Sequence, residues 1–301
     1  MKKIKLYFLE MRPPFFTATI VPIILGSVMG WHHGADFSWG LFILTFAGGI
    51  CLHAGVNVTN DYYDHASGND LANTEFIRPF TGGSRMIQNG LLTPKEVLAE
   101  GFVFYALGSL IGLYLVFRCG LPILWIGLIG VATSFFYTAP PVKFVHRGIG
   151  EIFIALNFGT LMTLGAYYVQ TGELSWAPVI ASLPVGLLIL LVLYINEFQD
   201  YNADKAVGKL HWVARMGREK ASKVYGALLA ATYLSVVAGV VYSAVPKWGL
   251  ISLLTIPIAI KAYKTARANY DNVASLTPAN AATIQLHLIV GFVLIASYLF
   301  S

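Results

Sequence analysis

Long apolar runs alternate with polar connections from one end of the chain to the other. Apolar stretches near the ~20 residues that cross a bilayer as a helix fall at about 15–33, 38–57, 97–117, 121–137, 150–170, 176–196, 222–242, 245–263 and 283–300. The pattern predicts an all-α membrane protein with nine transmembrane helices, a single polytopic domain over residues 1–301. Around Gly120-Leu121-Pro122 and Pro246-Lys247-Trp248 neighbouring stretches nearly touch, so short turns must join antiparallel helices there. The longer connections, at about 58–96, 138–149, 197–221 and 264–282, share the other face with the N-terminus.

Composition strengthens this reading: 56% of the 301 residues are hydrophobic and 12% charged, against about 25% charged in an ordinary soluble domain. With a mean hydropathy of +0.67, most soluble folds are excluded. The net charge of +5 matters less than where the charges sit. Lys2, Lys3, Lys5, Arg12, Arg78, Arg85, Lys95, Lys143, Arg147, Lys205, Lys209, Arg215, Arg218, Lys220, Lys223, Lys261, Lys264 and Arg267 all belong to the face of the long connections. Only Arg118 and Lys247 lie opposite. By the positive-inside rule the N-terminus is expected in the cytoplasm and the C-terminus outside, in a multi-pass protein of the cell membrane. The lipid bilayer is the expected partner, and no nucleic acid is.

The opening Met-Lys-Lys-Ile-Lys reaches Arg12-Pro13-Pro14 before any apolar core, so it reads as a mature cytoplasmic end and not a signal peptide. Cys51 and Cys119 provide neither a disulfide framework nor a thiolate metal site. Acidic residues are also one-sided, with only Asp36 and Glu173 on the outer face, although the orientation rule does not require it. A polar chamber is therefore expected at the cytoplasmic surface.

Two acidic clusters mark that chamber. If the second helix continues past its apolar stretch, Asn57, Asn60, Asp61 and Asp64 fall at i, i+3, i+4 and i+7 on one face. At the end of the sixth stretch, Asn196, Asp200 and Asp204 recur at i, i+4 and i+8. A lone Asp at a helix end is usually a cap or a solvated charge, but two such clusters on one membrane face point to function. Oxygen ligands of this kind suit Mg²⁺, which binds through a few carboxylates plus substrate phosphates. Basic residues follow each cluster: Arg78 and Arg85 beside Gly82-Gly83, then Lys205, Lys209 and Arg215. Metal-holding carboxylates next to cations make a diphosphate site. Arg218, Lys220 and Lys223 are read as serving membrane sidedness alone. No Gly-Lys-Ser/Thr phosphate loop accompanies the clusters.

These residues resemble the UbiA superfamily of intramembrane prenyltransferases. Its Asn-Asp-x-x-Asp motif matches Asn60-Asp61-Tyr62-Tyr63-Asp64, and its Asp-x-x-x-Asp with a following Gly-Lys matches Asp200, Asp204, Gly208 and Lys209. Within the superfamily the chain is most similar to the 1,4-dihydroxy-2-naphthoate polyprenyltransferases of menaquinone biosynthesis. That similarity rests on Gly68-x-Asp70, Thr81-Gly82-Gly83-Ser84-Arg85, Tyr137-Thr138-Ala139-Pro140-Pro141, Arg147-Gly148-Ile149-Gly150-Glu151, Asn157-Phe158-Gly159 and Gly165 to Gly172. The chain departs from that group in two places. Asn196-Glu197-Phe198-Gln199-Asp200 stands where Asn-Asn-x-Arg-Asp is common, and Gly208-Lys209-Leu210-His211-Trp212 where Gly-Lys-Arg-Thr-Leu is common. Two basic positions are lost, and His211 is a partial substitute.

The resemblance implies Mg²⁺-dependent transfer of a prenyl group from polyprenyl diphosphate to an aromatic acceptor, with 1,4-dihydroxy-2-naphthoate favoured. It implies that Asp61, Asp64, Asp200 and Asp204 carry the catalytic metal, with Asp70 nearby. Asn57, Asn60, Asn196, Arg78, Arg85, Lys205, Lys209 and Tyr137 would contact substrate. Tyr62, Phe136, Phe158 and Tyr194 are further aromatics for an allylic cation, and His53, Glu151 and Asn157 are acceptor contacts. Acceptors such as 4-hydroxybenzoate, homogentisate or geranylgeranylglyceryl phosphate stay open. Two rival readings are weaker. The CDP-alcohol phosphotransferase signature, Asp-Gly-x-x-Ala-Arg, is absent, and a cation-coupled transporter would place its acids near the bilayer midplane.

Overall fold

The computed structural model describes residues 3–301, so Lys2, counted with the inner-face charges, lies outside the described residues. Among the described residues the chain is helical, with no strand. In order come α1 (Lys3–Glu10), a 3₁₀ turn at Pro13–Phe16, α2 (Thr17–His32), α3 (Trp39–Ala66) and the single turn α4 (Asn69–Ala72). After a loop follow α5 (Pro94–Cys119), α6 (Leu121–Phe135), a 3₁₀ turn at Phe144–Arg147, α7 (Gly150–Ala155), a π-helical turn at Leu156–Leu161 and α8 (Met162–Thr171). The rest comprises α9 (Trp176–Ala206), α10 (Trp212–Met216), α11 (Arg218–Val241), a 3₁₀ segment at Lys247–Thr255, α12 (Ile256–Ala268) and α13 (Thr277–Leu299).

Seven of these helical rods are long and apolar enough to cross a membrane, counting Gly150–Thr171 as one. The other two expected spans are shorter. The fourth, α6, has 15 residues. The eighth divides into nine residues of 3₁₀ helix and the 13 residues of α12. Pro257 stands in the first turn of α12, where a missing N–H is tolerated and a new helix can start. Lys261, Lys264 and Arg267 make the remainder of α12 too polar to extend an apolar span.

Two helices overrun their expected ends. α3 has 28 residues and α9 has 31, lengths of roughly 42 and 46 Å at about 1.5 Å per residue, against about 30 Å of hydrocarbon. The excess turns carry the acidic clusters. α9 is also the central post: 67% of its apolar window is buried, against 17% for the peripheral α5. Val185, Leu188, Leu191, Tyr194, Ile195 and Phe198 fill the core around it, packing on α11, α13 and the π turn. Leu110, Phe117, Trp125 and Leu254 face outward, as a lipid-solvated surface requires.

α2 and α8 meet backbone to backbone. A Cβ on Gly26 would lie 2.1 Å from the carbonyl oxygen of Thr163, so only glycine permits the approach, as at small-residue contacts between membrane helices generally. Gly26→Ala is expected to force the helices apart and destabilise the fold by about 1–3 kcal/mol, the usual cost of overpacking. A lowered midpoint of thermal unfolding in detergent would register it; an unchanged midpoint would contradict the contact.

Candidate active site

The projecting end of α3 presents Asn57, Asn60 and Asp64 to a polar cavity, and the end of α9 presents Asn196, Glu197, Asp200 and Asp204 from the opposite wall. The cavity, about 210 Å³, is completed by Arg12, Asn69, Asp70, Asn73, Tyr137, Lys209 and His211, among others. α3 and α9 thus bring the two acidic clusters face to face, each closed over by the loop that follows it.

The segment after α9 turns back sharply. Gly208 takes φ +74°, the left-handed conformation that ends many helices and that glycine adopts without strain, and Lys209 N–H then donates to Asp204 O at 2.8 Å. This return places Lys209 Nζ 3.1 Å from both oxygens of Asp64 and 3.7 Å from Asp204 Oδ1. Burial opposes the charge on Lys209, but Asp204 and Asp64 outweigh it and hold the ammonium well above its ordinary pKa. His211 follows, with Nε2 3.1 Å from Asp204 Oδ2 and Nδ1 3.3 Å from Glu197 Oε2. Burial lowers its pKa, yet the two carboxylates prevail and raise it to about 10.

The segment after α3 supplies amides. Asn73 Nδ2 donates to Asp200 Oδ1 at 2.6 Å, and Asn69 Nδ2 donates to Asp204 Oδ1 at 2.8 Å. Asp70 accepts from Gln88 Nε2 at 2.7 Å, and burial, then Asp64 and Asp61, push its carboxyl up to about 8. Asn60 donates to Asp64 at 3.3 Å, and Asn57 donates to the carbonyl of Met11 at 2.9 Å.

Several expected site residues are placed differently. Asp61 lies off the shared face: Oδ1 pairs with Arg12 at 3.1 Å and Oδ2 accepts the Ser84 N–H at 2.7 Å, so it pins the 81–84 loop. Arg78 and Arg85 do not line the cavity; they donate to backbone carbonyls of Ser84, Asp70 and Asn73. Arg85 also stacks 4.3 Å from the ring centroid of Phe76. Lys205 is exposed and turned to the Tyr201 hydroxyl, because it precedes the Gly208 turn that brings Lys209 inward. Of the aromatics, Tyr137 and Phe158 line the cavity. Tyr194 instead donates to Ala221 O in the core, Phe136 packs on Phe135 and Tyr62 on Tyr63. Glu151 is wholly buried behind the cavity and accepts the Trp212 N–H.

Other residues emerge only here. Arg12 bridges Asp61 and the carbonyl of Asn57. Glu10, bonded to the Ser84 hydroxyl, has its pKa pushed up to about 8, first by burial and then by Asp61. Asn280, on α13, donates to Asn196 and accepts from Gln199 at 2.7 and 3.0 Å.

A second, apolar cavity of about 310 Å³ opens beyond the first, between α3, α5, α6 and α8, and shares His53, Val56 and Phe158 with it. The π turn forms this neck. Its extra residue per turn directs Asn157 to Thr133 and Ser134 and sets Phe158 4.6 Å, centroid to centroid, from the His53 ring. Such turns are frequent at functional sites.

The polar cavity suits a hard divalent cation. Facing each other across it are carboxylate oxygens of Asp64, Asp200 and Asp204, and the buried Oδ1 atoms of Asn60, Asn69 and Asn73 have no hydrogen-bond partner among the described residues. Oxygen donors in this number favour Mg²⁺ over softer metals.

The sequence profile described as the UbiA prenyltransferase family matches residues 19–298. The chain is 26% identical over 290 residues to a 1,4-dihydroxy-2-naphthoate octaprenyltransferase of Bacillus subtilis, covering 96% of this chain and 91% of that protein. It is 25% identical to a 2-carboxy-1,4-naphthoquinone phytyltransferase of Synechocystis, covering 98% and 93%. Its fold is similar to that of a UbiA homologue from Archaeoglobus fulgidus bound to DMAPP and Mg²⁺, with a TM-score of 0.66, 19% identity and coverage of 96% and 99%.

Proposed function

The chain belongs to the UbiA prenyltransferase family, and from that premise we infer a Mg²⁺-dependent transfer of a polyprenyl group from its diphosphate to 1,4-dihydroxy-2-naphthoate, with loss of carbon dioxide to give demethylmenaquinol, the reduced form of a demethylmenaquinone. One observation carries the reading: two acidic helix ends face each other across a polar cavity that continues through an aromatic neck into an apolar one. A prenyl diphosphate has the same two halves. The naphthoate relatives support this acceptor over 4-hydroxybenzoate, homogentisate or geranylgeranylglyceryl phosphate.

In this reading Asp64, Asp200 and Asp204 hold Mg²⁺, Asp61 steadies Arg12 and the 81–84 loop beside them, and the amides of Asn57, Asn60, Asn69, Asn73 and Asn196 orient the head group. Bound Mg²⁺ supplies the positive charge that makes diphosphate a good leaving group. Lys209 and Arg12 add fixed cations that stabilise charge developing on the departing oxygen. Phe158 and Tyr137 offer π faces to the allylic carbon as its bond to oxygen breaks, and the narrow neck keeps water from capturing it. The electron-rich ring carbon of the acceptor then forms the new carbon–carbon bond and its carboxylate leaves as carbon dioxide, so no side-chain nucleophile is needed. α6 and the segment from Lys247 to α12 are read as the fourth and eighth of nine passes, with the N-terminus and the active site in the cytoplasm of a cell-membrane protein.

The test is prenyl transfer by purified protein in lipid nanodiscs, offering labelled polyprenyl diphosphate and each acceptor in turn. Prenylated naphthoquinol with release of carbon dioxide, abolished by EDTA, is expected. Product with a different acceptor alone would replace the naphthoate assignment, and no product with any acceptor would overturn the reading.

A further inference from the structure

Asp204 lies in the last turn of α9, two residues before the helix ends at Ala206. A carboxylate there is doubly disfavoured: the helix dipole places partial negative charge at this end, and Asp200 and Asp64 stand in the same cavity. The carboxylate nevertheless has a partner at each oxygen. Asn69 donates to Oδ1 at 2.8 Å, and His211 Nε2 faces Oδ2 at 3.1 Å.

His211 is itself fixed on every side. Its ring is completely buried, and Nδ1 accepts the Ala214 N–H at 3.2 Å, capping α10, while standing 3.3 Å from Glu197 Oε2. With Nδ1 accepting the Ala214 N–H, a neutral ring carries its hydrogen on Nε2, the nitrogen that faces Asp204. Glu151 secures the next residue by accepting the Trp212 N–H, while Trp212 Nε1 donates to Gly148 O at 2.8 Å. The ligand atoms of Glu151, Glu197 and His211 lie within 4.8 Å of one another. Neither oxygen of Glu197 makes a hydrogen bond among the described residues, and its ion-pair partner there is His211. Glu197 and His211 are two of the positions at which the chain departs from the pattern of the naphthoate group, and the structure puts them in contact.

We propose that His211, backed by Glu197, is a positioning residue that fixes the Asp204 carboxylate for the divalent cation. The proposal rests on the prenyl diphosphate reading of the cavity and adds to it residues that act through a metal ligand. Groups that orient metal ligands in this way commonly govern affinity by about 10–100-fold.

The experiment measures Mn²⁺ binding to the purified full-length protein in detergent with saturating inorganic pyrophosphate, followed by loss of the free Mn²⁺ electron paramagnetic resonance signal. His211→Ala is expected to weaken binding by about 10–100-fold. His211→Gln, whose amide nitrogen restores a donor near the position of Nε2, should recover most of that loss. Glu197→Gln should weaken binding by a smaller factor in the wild-type background and by nothing further in His211→Ala, since it acts only through the imidazole. The half-saturating Mg²⁺ for prenyl transfer should move in parallel, with the KM for the acceptor unchanged. Wild-type affinity in folded His211→Ala, or a loss that glutamine does not recover, overturns the proposal. Should the alanine variant fail to remain dispersed after extraction, Glu197→Gln decides, and an unchanged Mn²⁺ affinity there overturns it equally. A wild-type protein that binds no Mn²⁺ with pyrophosphate would instead bring down the reading of the cavity and the proposal with it.

Discussion

Asp200→Asn is expected to reduce prenyl transfer by about 10²–10³-fold, the loss seen when one preorganised electrostatic partner of a transition state is removed. The substitution keeps shape and removes charge. Asn73 donates to Asp200 Oδ1 at 2.6 Å, and an asparagine oxygen can accept the same bond, so the segment after α3 stays in place. The fold should tolerate the change and even gain from it, because Asp200 shares its cavity with Asp64 and Asp204 and like charges in a poorly solvated space repel. The expected signature is a collapsed rate and a raised Mg²⁺ requirement, with a thermal midpoint in metal-free detergent no lower than that of the wild type. Transfer within tenfold of wild type would show that Asp200 does not hold the metal. Asp61→Asn should differ, costing stability as well, because it weakens the pair with Arg12 that ties the chain before α2 to the 81–84 loop.

That contrast between two aspartates shows how far sequence spacing reaches. Asn196, Asp200 and Asp204 share one face at intervals of four, and the structure sets all three in the cavity wall. In α3 the same arithmetic included Asp61, but a face is an arc, and the position at its edge was claimed by Arg12 from outside the helix. Lys205 and Lys209 both follow the second cluster, yet only Lys209 comes after the left-handed Gly208, and a reversal of the chain is invisible to a count of nearby charges. Arg12 and Asn280 reach the site from α2's approach and from α13, with no local pattern linking them to either cluster. The π turn that makes the neck has no periodicity of its own, since one extra residue in a turn leaves an apolar run looking like any other. The helical bundle itself was legible because lipid demands long apolar helices with their backbone groups satisfied internally. Pro257 and the charges after it limited that legibility at the eighth stretch.

Lys209→Met is the most severe change expected for the fold. The ammonium is buried, sits 3.1 Å from both oxygens of Asp64 and 3.7 Å from Asp204, and is the cation that allows two facing carboxylates to coexist without metal. Methionine fills similar space but leaves Asp64 without its cation and Asp204 with only His211 and Asn69, and breaking a buried pair from one side typically costs about 3–5 kcal/mol. The loss should be conditional. A divalent cation binds the folded state and not the unfolded one, so it stabilises by mass action, and in the variant it would also restore the missing charge. Mg²⁺ with pyrophosphate should therefore raise the thermal midpoint of Lys209→Met by more than that of the wild type, while transfer stays depressed because the leaving group has lost a fixed cation. Asp64→Asn in the same chain should recover part of the metal-free stability by removing one of the stranded charges, a coupling expected of residues in contact. An equal Mg²⁺ response in variant and wild type, or no recovery in the double variant, would mean that Lys209 does not neutralise the acidic helix ends and that another group balances them.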